Sequence, residues 1–264
     1  MSFINIVLFA GLAILMTMII LWLASLALKN SSIVDIFWGL GFVLANWVYF
    51  VLTPYGAEPR KWLISVLVSI WGLRLSLYIL WRNWGKAEDF RYQTWRKEAA
   101  AEWWWRSFFR VFLLQGLLLW VISIPLLAAQ VAAQPASLQV LDYLGLAVWT
   151  VGFFFEFMGD LQLARFRSIP SNKGKVLDHG VWRYTRHPNY FGDSAQWWGY
   201  FLIAVSAGGW WVFYSPLMMT LLLLKVSGVA LLEKTLKDSK PQYKEYIEKT
   251  SAFFPLPPKN INQE

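Results

Sequence analysis

Uninterrupted apolar runs, several of them near twenty residues long, constrain this chain more than any other feature of its sequence. A helix rising 1.5 Å per residue needs about 20 apolar residues to cross the ~30 Å hydrocarbon core of a bilayer, and a small soluble core has no use for so many. The runs predict helices over Phe3–Leu28, Ile33–Leu52, Trp62–Trp81, Phe108 to about Val131, Val140 to about Gly159, Ala195 to about Ser206, and Trp210–Leu232. The expected fold is therefore all-α: a single transmembrane domain over residues 1–264 with about seven crossings. The last two are separated only by Ser206-Ala207-Gly208-Gly209. The first run has neither a basic leader nor a small-residue cleavage site, so it reads as a retained helix.

The chain is 57% hydrophobic and 15% charged, yet its net charge is +8, and the distribution of that charge decides what it means. Nearly all Lys and Arg fall on one side of a seven-crossing topology, in Arg82–Arg110, Arg165–Arg186 and the tail lysines, whereas Arg60 and Lys61 stand alone on the other. The positive-inside rule then puts the N-terminus outside and the C-terminus in the cytoplasm, and removes any need for a nucleic-acid partner. A bacterial inner membrane is the expected location. The absence of cysteine excludes thiol nucleophiles, disulfides and thiolate metal sites. With only His179 and His187 as imidazoles, no metal site is expected either. Trp103–Trp105, Trp197-Trp198 and Trp210-Trp211 are placed where a belt at headgroup level would put them. Gly39-Leu40-Gly41 follows no strand and is read as a close helix contact, not a dinucleotide turn.

Ionisable groups in or near a span are costly, which makes each a functional candidate. Asp35 opens the second helix. Arg74, Tyr78 and Arg82 share one face of the third at four-residue spacing, and Glu156 and Asp160 repeat that spacing at the end of the fifth. Asp193 and Gln196 open the sixth, and Glu233 closes the seventh. Most of these collect at the cytoplasmic helix ends and suggest a polar chamber there, although polar helix ends facing water are the plainer alternative. Between Asp160 and Asp193, Arg165, Arg167, Lys173, Lys175, Arg183 and Arg186 are interleaved with glycines and with Trp182, Tyr184, His187, Asn189 and Tyr190. Charge of that density suits a phosphate- or carboxylate-bearing ligand, or anionic lipid.

Arg186-His187-Pro188-Asn189-Tyr190-Phe191-Gly192-Asp193, then Glu233, then Tyr243-Lys244-Glu245-Tyr246 and Ser251-Ala252-Phe253-Phe254-Pro255 resemble the C-terminal half of the steroid 5α-reductase family, particularly its bacterial relatives. The likeness spans about 145–258, with a weaker one across Ser31–Arg106. It implies NADPH as cofactor and a hydrophobic enone, entering from lipid, as substrate. Position by position, Asp160, Arg165 and Arg167 resemble residues that hold the dinucleotide; Asn189 and Asp193 resemble those near the nicotinamide and its ribose; Arg74, Tyr78 and Asn83 resemble the cofactor-lining face of the third helix. Arg82, Arg183, Arg186, His187, Tyr190, Glu233 and Tyr246 complete the expected cofactor set, with Asp35 and Tyr78 as the expected catalytic pair. The Arg-His-Pro element is also similar to that of isoprenylcysteine carboxyl methyltransferases and related phospholipid methyltransferases. Methyl transfer from S-adenosylmethionine, and a non-enzymatic membrane scaffold, therefore stand as alternatives.

Overall fold

The computed structural model describes residues 1–226 and 242–259. The described residues are helical with no strand, and five segments are long and apolar enough to cross a membrane: Phe3–Leu28, Ile33–Leu52, Glu58–Asn83, Phe90–Val131 and Val140–Ser168. Of the two further crossings expected, Pro188–Ser206 begins with the polar residues Asn189, Asp193 and Gln196, and Trp210–Lys225 is a shorter apolar helix. The remainder of the expected Trp210–Leu232 run lies outside the described residues, as does Glu233.

Two compact units are present: Met1–Gln139 with Ile203–Val212, and Val140–Leu202 with Phe213–Glu264. The first begins with α1 (Phe3–Leu28), whose 26 residues start at a Ser2 hydroxyl that accepts the Asn5 N–H and end at Lys29 in the left-handed region, φ 50°. There the Lys29 and Asn30 N–H groups turn back to Leu26 and Ser25 carbonyls and satisfy the helix end. In α2 (Ile33–Leu52) and α3 (Glu58–Asn83), Gly39 and Gly72 face one another. A Cβ at Gly39 would lie 2.5 Å from the Gly72 carbonyl oxygen, so the two backbones touch as the glycine-rich sequence predicts. Lys61 caps the far end of α2 by donating to the Thr53 carbonyl at 2.7 Å, with its ammonium 4.3 Å from the centre of the Phe50 ring. Arg60 and Lys61, the two cations assigned to the sparsely charged side, are thus buried within the protein.

From residue 90 to 131 the chain is helical but broken. The pieces are α4 (Phe90–Ala99), α5 (Trp103–Ser107), a π-helical turn at Phe108–Leu113, α6 (Leu114–Ile122) and α7 (Ile124–Val131). The break between α6 and α7 follows from Pro125, which cannot donate to the preceding turn. Ser123 repairs it, donating to the Trp120 carbonyl at 2.8 Å and bonding the Tyr49 hydroxyl at 2.8 Å. The expected tryptophan belt divides: Trp104, Trp105, Trp210 and Trp211 are exposed, whereas Trp103 and Trp197 are buried. Trp103 is drawn inward because its indole N–H finds the Ser31 hydroxyl at 3.3 Å.

The second unit is built on α8 (Val140–Ser168) and the first fifteen residues of α9 (Pro188–Ser206), followed by α10 (Tyr214–Leu221) and α11 (Tyr243–Lys249). Gly145, Gly152 and Gly159 recur every seven residues on α8, and each meets α9. A Cβ at Gly152 would stand 2.6 Å from the Gly192 carbonyl oxygen, one at Gly199 2.7 Å from the Gly145 carbonyl oxygen, and one at Gly159 3.0 Å from Pro188. Backbone rather than side chain therefore forms this contact. Gly152→Leu is expected to destabilise the protein by about 1–3 kcal/mol through overpacking, read as a lower unfolding midpoint in detergent, whereas Phe154→Leu on the exposed face of α8 should leave it unchanged.

Candidate functional site

In the first unit, polar side chains gather where α2 begins. Asp35, in the first turn of α2, accepts the Tyr92 hydroxyl at 2.6 Å and the Arg91 guanidinium at 3.1 Å. Gln115 in turn donates to the Tyr92 oxygen at 3.2 Å, and Arg91 spans to Asp89 at 2.9 Å. Beside this cluster Glu88 takes both donors of the Arg96 fork, at 2.9 and 2.8 Å, and the backbone N–H of Ser31 at 2.5 Å. The Arg96 guanidinium also stacks over Trp103, 5.5 Å from the ring centre. Three acids and two arginines thus fasten the 84–96 connection to the N-terminus of α2, where negative charge is favoured by the helix dipole.

Burial acts to raise the Glu88 carboxyl, but the Arg96 fork and the Ser31 N–H outweigh it and hold Glu88 below its ordinary 4.5. Asp89 is likewise kept low by Arg91, against the effect of burial.

Of the expected catalytic pair, Asp35 is the residue that belongs to this cluster. The phenol that meets Asp35 belongs to Tyr92, while Tyr78 lies between Arg74 and Arg82, whose guanidinium carbons are 5.5 and 5.7 Å from its ring centre. The four-residue spacing of Arg74, Tyr78 and Arg82 does place them on one face, as stacked cations on an aromatic ring. Asn83 follows at the end of α3 and accepts from Arg82 Nε at 3.3 Å. Of the arginines in the 82–110 stretch, Arg91 and Arg96 are held by carboxylates, and Arg106 pairs with Glu102. Tyr92 carries no sequence signal beyond its place in a polar connection; only folding brings it to Asp35.

In the second unit the glycine contact sets polar residues of α8 against those of α9. Gln196 donates to Glu156 at 2.5 Å, and Asn189 donates to Asp160 at 3.3 Å. Both acids are buried. The connection that follows α8 folds back on it: the Trp182 indole donates to the Gly159 carbonyl at 3.1 Å, and the Val181 N–H donates to the Gln162 side chain at 3.0 Å. Gly180 allows this approach at φ 63°, because any side chain there would strike Gln162. Arg165, Arg167 and Arg183 are exposed and make no ion pair among the described residues.

The Arg186–Tyr190 segment is clamped by the C-terminal residues. Arg186 Nη1 donates to the Ile247 and Thr250 carbonyls at 3.0 and 2.6 Å, closing the end of α11, and its backbone N–H reaches Ser251 at 2.9 Å. Thr185 donates to the Phe253 carbonyl at 2.9 Å, and the Tyr246 hydroxyl donates to the Trp182 carbonyl at 2.5 Å. Burial, with Tyr243 beside it, pushes the Tyr246 phenol up, which keeps it a donor. His187 is buried and stacks parallel to Tyr190, with ring centres 5.6 Å apart. Arg186 and Tyr246, both in the expected cofactor set, thus act here as braces between the Arg-His-Pro turn and the C-terminal segment. The Gly145-Gly152-Gly159 repeat, which positions this half, is visible in the sequence as a seven-residue spacing.

The sequence profile of a family described as a protein of unknown function, DUF1295, matches residues 21–250. The chain belongs to this family. The family is related to steroid 5α-reductase-like membrane proteins. An uncharacterized Schizosaccharomyces pombe protein, C594.04c, is 25% identical over 266 residues, covering 89% of this chain and 76% of its own. No solved structure matches.

The carboxylate network predicts a pH response. Because Glu88 and Asp89 titrate lower in the folded chain than in the unfolded one, their stabilisation is complete above the ordinary carboxyl range and lost as pH falls through their depressed values. The unfolding midpoint should fall below about pH 4, and less steeply in Glu88→Gln. An equally steep fall in that variant removes Glu88 as the source.

Proposed function

We propose that this protein is a membrane oxidoreductase that reduces the carbon–carbon double bond of a hydrophobic enone with NADPH. The observation that carries the reading is the Asp35–Tyr92 pair, a phenol and a carboxyl held at 2.6 Å at the mouth of a spanning helix. Reduction at the β-carbon of an enone places negative charge on the carbonyl oxygen, and a hydroxyl donor positioned beside it stabilises that charge. Tyr92 is the donor in this reading: its one O–H, donated to Asp35 in the structure, turns to the substrate carbonyl oxygen when the enone binds. Gln115 donates to the phenol oxygen, Arg91 holds Asp35, and Tyr78 stacks between Arg74 and Arg82.

The residues of the second unit suit a dinucleotide phosphate: Arg165, Arg167 and Arg183 present charge that no described carboxylate neutralises. When bound, NADPH supplies the hydride that forms the new C–H bond at the β-carbon; a proton from solvent completes the α-carbon, so two hydrogens are added in all. Arg165, Arg167 and Arg183 hold phosphate, Asn189 and Asp193 orient the bound group, and Arg186 keeps the turn that carries them closed. Seven crossings with the N-terminus outside, in a bacterial inner membrane, are consistent with this assignment, and substrate enters laterally from lipid.

Thermal-shift titration of the detergent-purified protein tests the cofactor. NADPH is expected to stabilise it and S-adenosylmethionine not, and Arg165→Ala or Arg167→Ala should weaken NADPH binding by about 1.5–3 kcal/mol. Stabilisation by S-adenosylmethionine alone supports a methyltransferase, and stabilisation by neither supports a scaffold.

Enone-dependent NADPH oxidation tests the pair. Tyr92→Phe should lower turnover roughly 10²–10³-fold without changing NADPH affinity, and Tyr78→Phe should have little effect. The reverse order of effects would return the role to Tyr78.

A further inference from the structure

An open groove lies between the start of α2 and the end of α3, with Asn30, Asn83 and Lys86 on its polar side and Ile33, Ile36 and Leu80 as its apolar wall. The hydrogen bonds around it define which polar atoms are left to face a ligand. Asn30 Oδ1 accepts from the Ser32 N–H at 3.0 Å and the Ser32 hydroxyl at 2.6 Å, which leaves the Asn30 amide NH₂ as a donor. Asn83 Oδ1 is taken by Arg82 Nε, which leaves the Asn83 NH₂ as a donor too. Lys86 is exposed and, among the described residues, pairs with no acid. The nearest acids in the sequence, Glu88 and Asp89, are already engaged by Arg96 and Arg91. The polar side of the groove therefore offers three donors with no acceptor of their own, which is the complement of an anion.

The apolar side points to the rest of the ligand. Leu73, Leu77 and Trp81 on α3, and Trp84 just past its end, recur at four-, four- and three-residue spacing and are 46%, 63%, 65% and 76% exposed. On a helix that crosses a membrane, such a stripe faces acyl chains, and Trp84 marks its headgroup end. Inorganic phosphate would use the donors and leave the wall idle. A glycerophospholipid uses both, with its phosphate at the helix end and a chain running along the stripe.

We propose that this groove binds an anionic glycerophospholipid, with the phosphate received by Lys86, Asn30 and Asn83 and an acyl chain laid against Leu80, Leu77 and Leu73. Asn83 thereby serves lipid and not the dinucleotide.

Native mass spectrometry of the full-length protein, with phosphatidylglycerol or phosphatidylcholine of identical acyl chains added in detergent, tests the assignment. Phosphatidylglycerol adducts should persist where phosphatidylcholine adducts are lost. Lys86→Ala should reduce phosphatidylglycerol retention about tenfold, as expected for loss of a charged hydrogen-bond donor, while Lys97→Ala should leave it unchanged. Equal retention of the two lipids, an unaffected Lys86→Ala protein, or an equal loss in Lys97→Ala would overturn the proposal. So would displacement of phosphatidylglycerol by millimolar inorganic phosphate, which would make the groove a free-anion site. Lipid retention is read without any redox assay, so these results stand whether or not NADPH binds.

Discussion

Where a glycine on one helix meets a carbonyl on the next, backbones approach as closely as chemistry allows, and in this protein the polar groups that matter are placed by that approach. Lipid tails are as apolar as leucine, so burying side chains does little to hold one spanning helix to another; close packing and interhelical hydrogen bonds do it instead. Gly145, Gly152 and Gly159 give α8 a flat face, and Gly192 and Gly199 give α9 its counterpart. At that separation Glu156 reaches Gln196, and Asp160 reaches Asn189, with no long side chain between them. A methyl group at Gly152 or Gly192 would strike a carbonyl oxygen of the facing helix, so the pair would have to move apart to admit it.

A second constraint acts on the connections. An unpaired charge held away from water is expensive, and removing its partner costs more than the pair itself contributes. The long polar segment after α3 therefore does not remain a solvated loop. Its acids and arginines fold back on one another and on the start of α2, with Glu88 held by Arg96 and Asp35 by Arg91. In the second unit the Arg186 guanidinium closes the carbonyls at the end of α11. These side chains would look alike in a count of basic residues. Their partners separate those that build the fold from Arg165, Arg167 and Arg183, whose charge stays outward.

Hydropathy made the first five helices legible, because a run of apolar residues near twenty long has few other uses. It understated their ends: α3 starts at Glu58 and not Trp62, and α8 continues to Ser168 beyond Gly159, since a helix carries on into polar residues once its backbone bonds are being made. Residues 90–107 read as a polar loop and are mostly helix, organised by contacts that no local pattern announces. Trp103 and Trp197 read as interfacial anchors and are buried, because an indole N–H with an internal acceptor or a tight aromatic neighbour has no need of the headgroup layer. Spacing alone was enough for Arg74, Tyr78 and Arg82. A partner supplied by a distant segment, as Tyr92 is for Asp35, leaves no trace in spacing.

That the phenol meeting Asp35 is Tyr92 follows from the α2–α3 contact. The two helices run antiparallel through the Gly39–Gly72 approach, and a bond from the Leu40 N–H to the Ser76 hydroxyl at 3.1 Å extends it. Asp35 stands four residues before Gly39 and Ser76 four residues after Gly72, so Ser76 is the α3 residue abreast of Asp35. Tyr78 is two residues further on and about 200° round the helix from Ser76, turned toward Arg74 and Arg82 and away from α2. No rotamer of Tyr78 reverses a half-turn of the helix. A phenol for Asp35 has to come from outside α3, and the 84–92 connection, tied to the start of α2 through Glu88 and Ser31, delivers one.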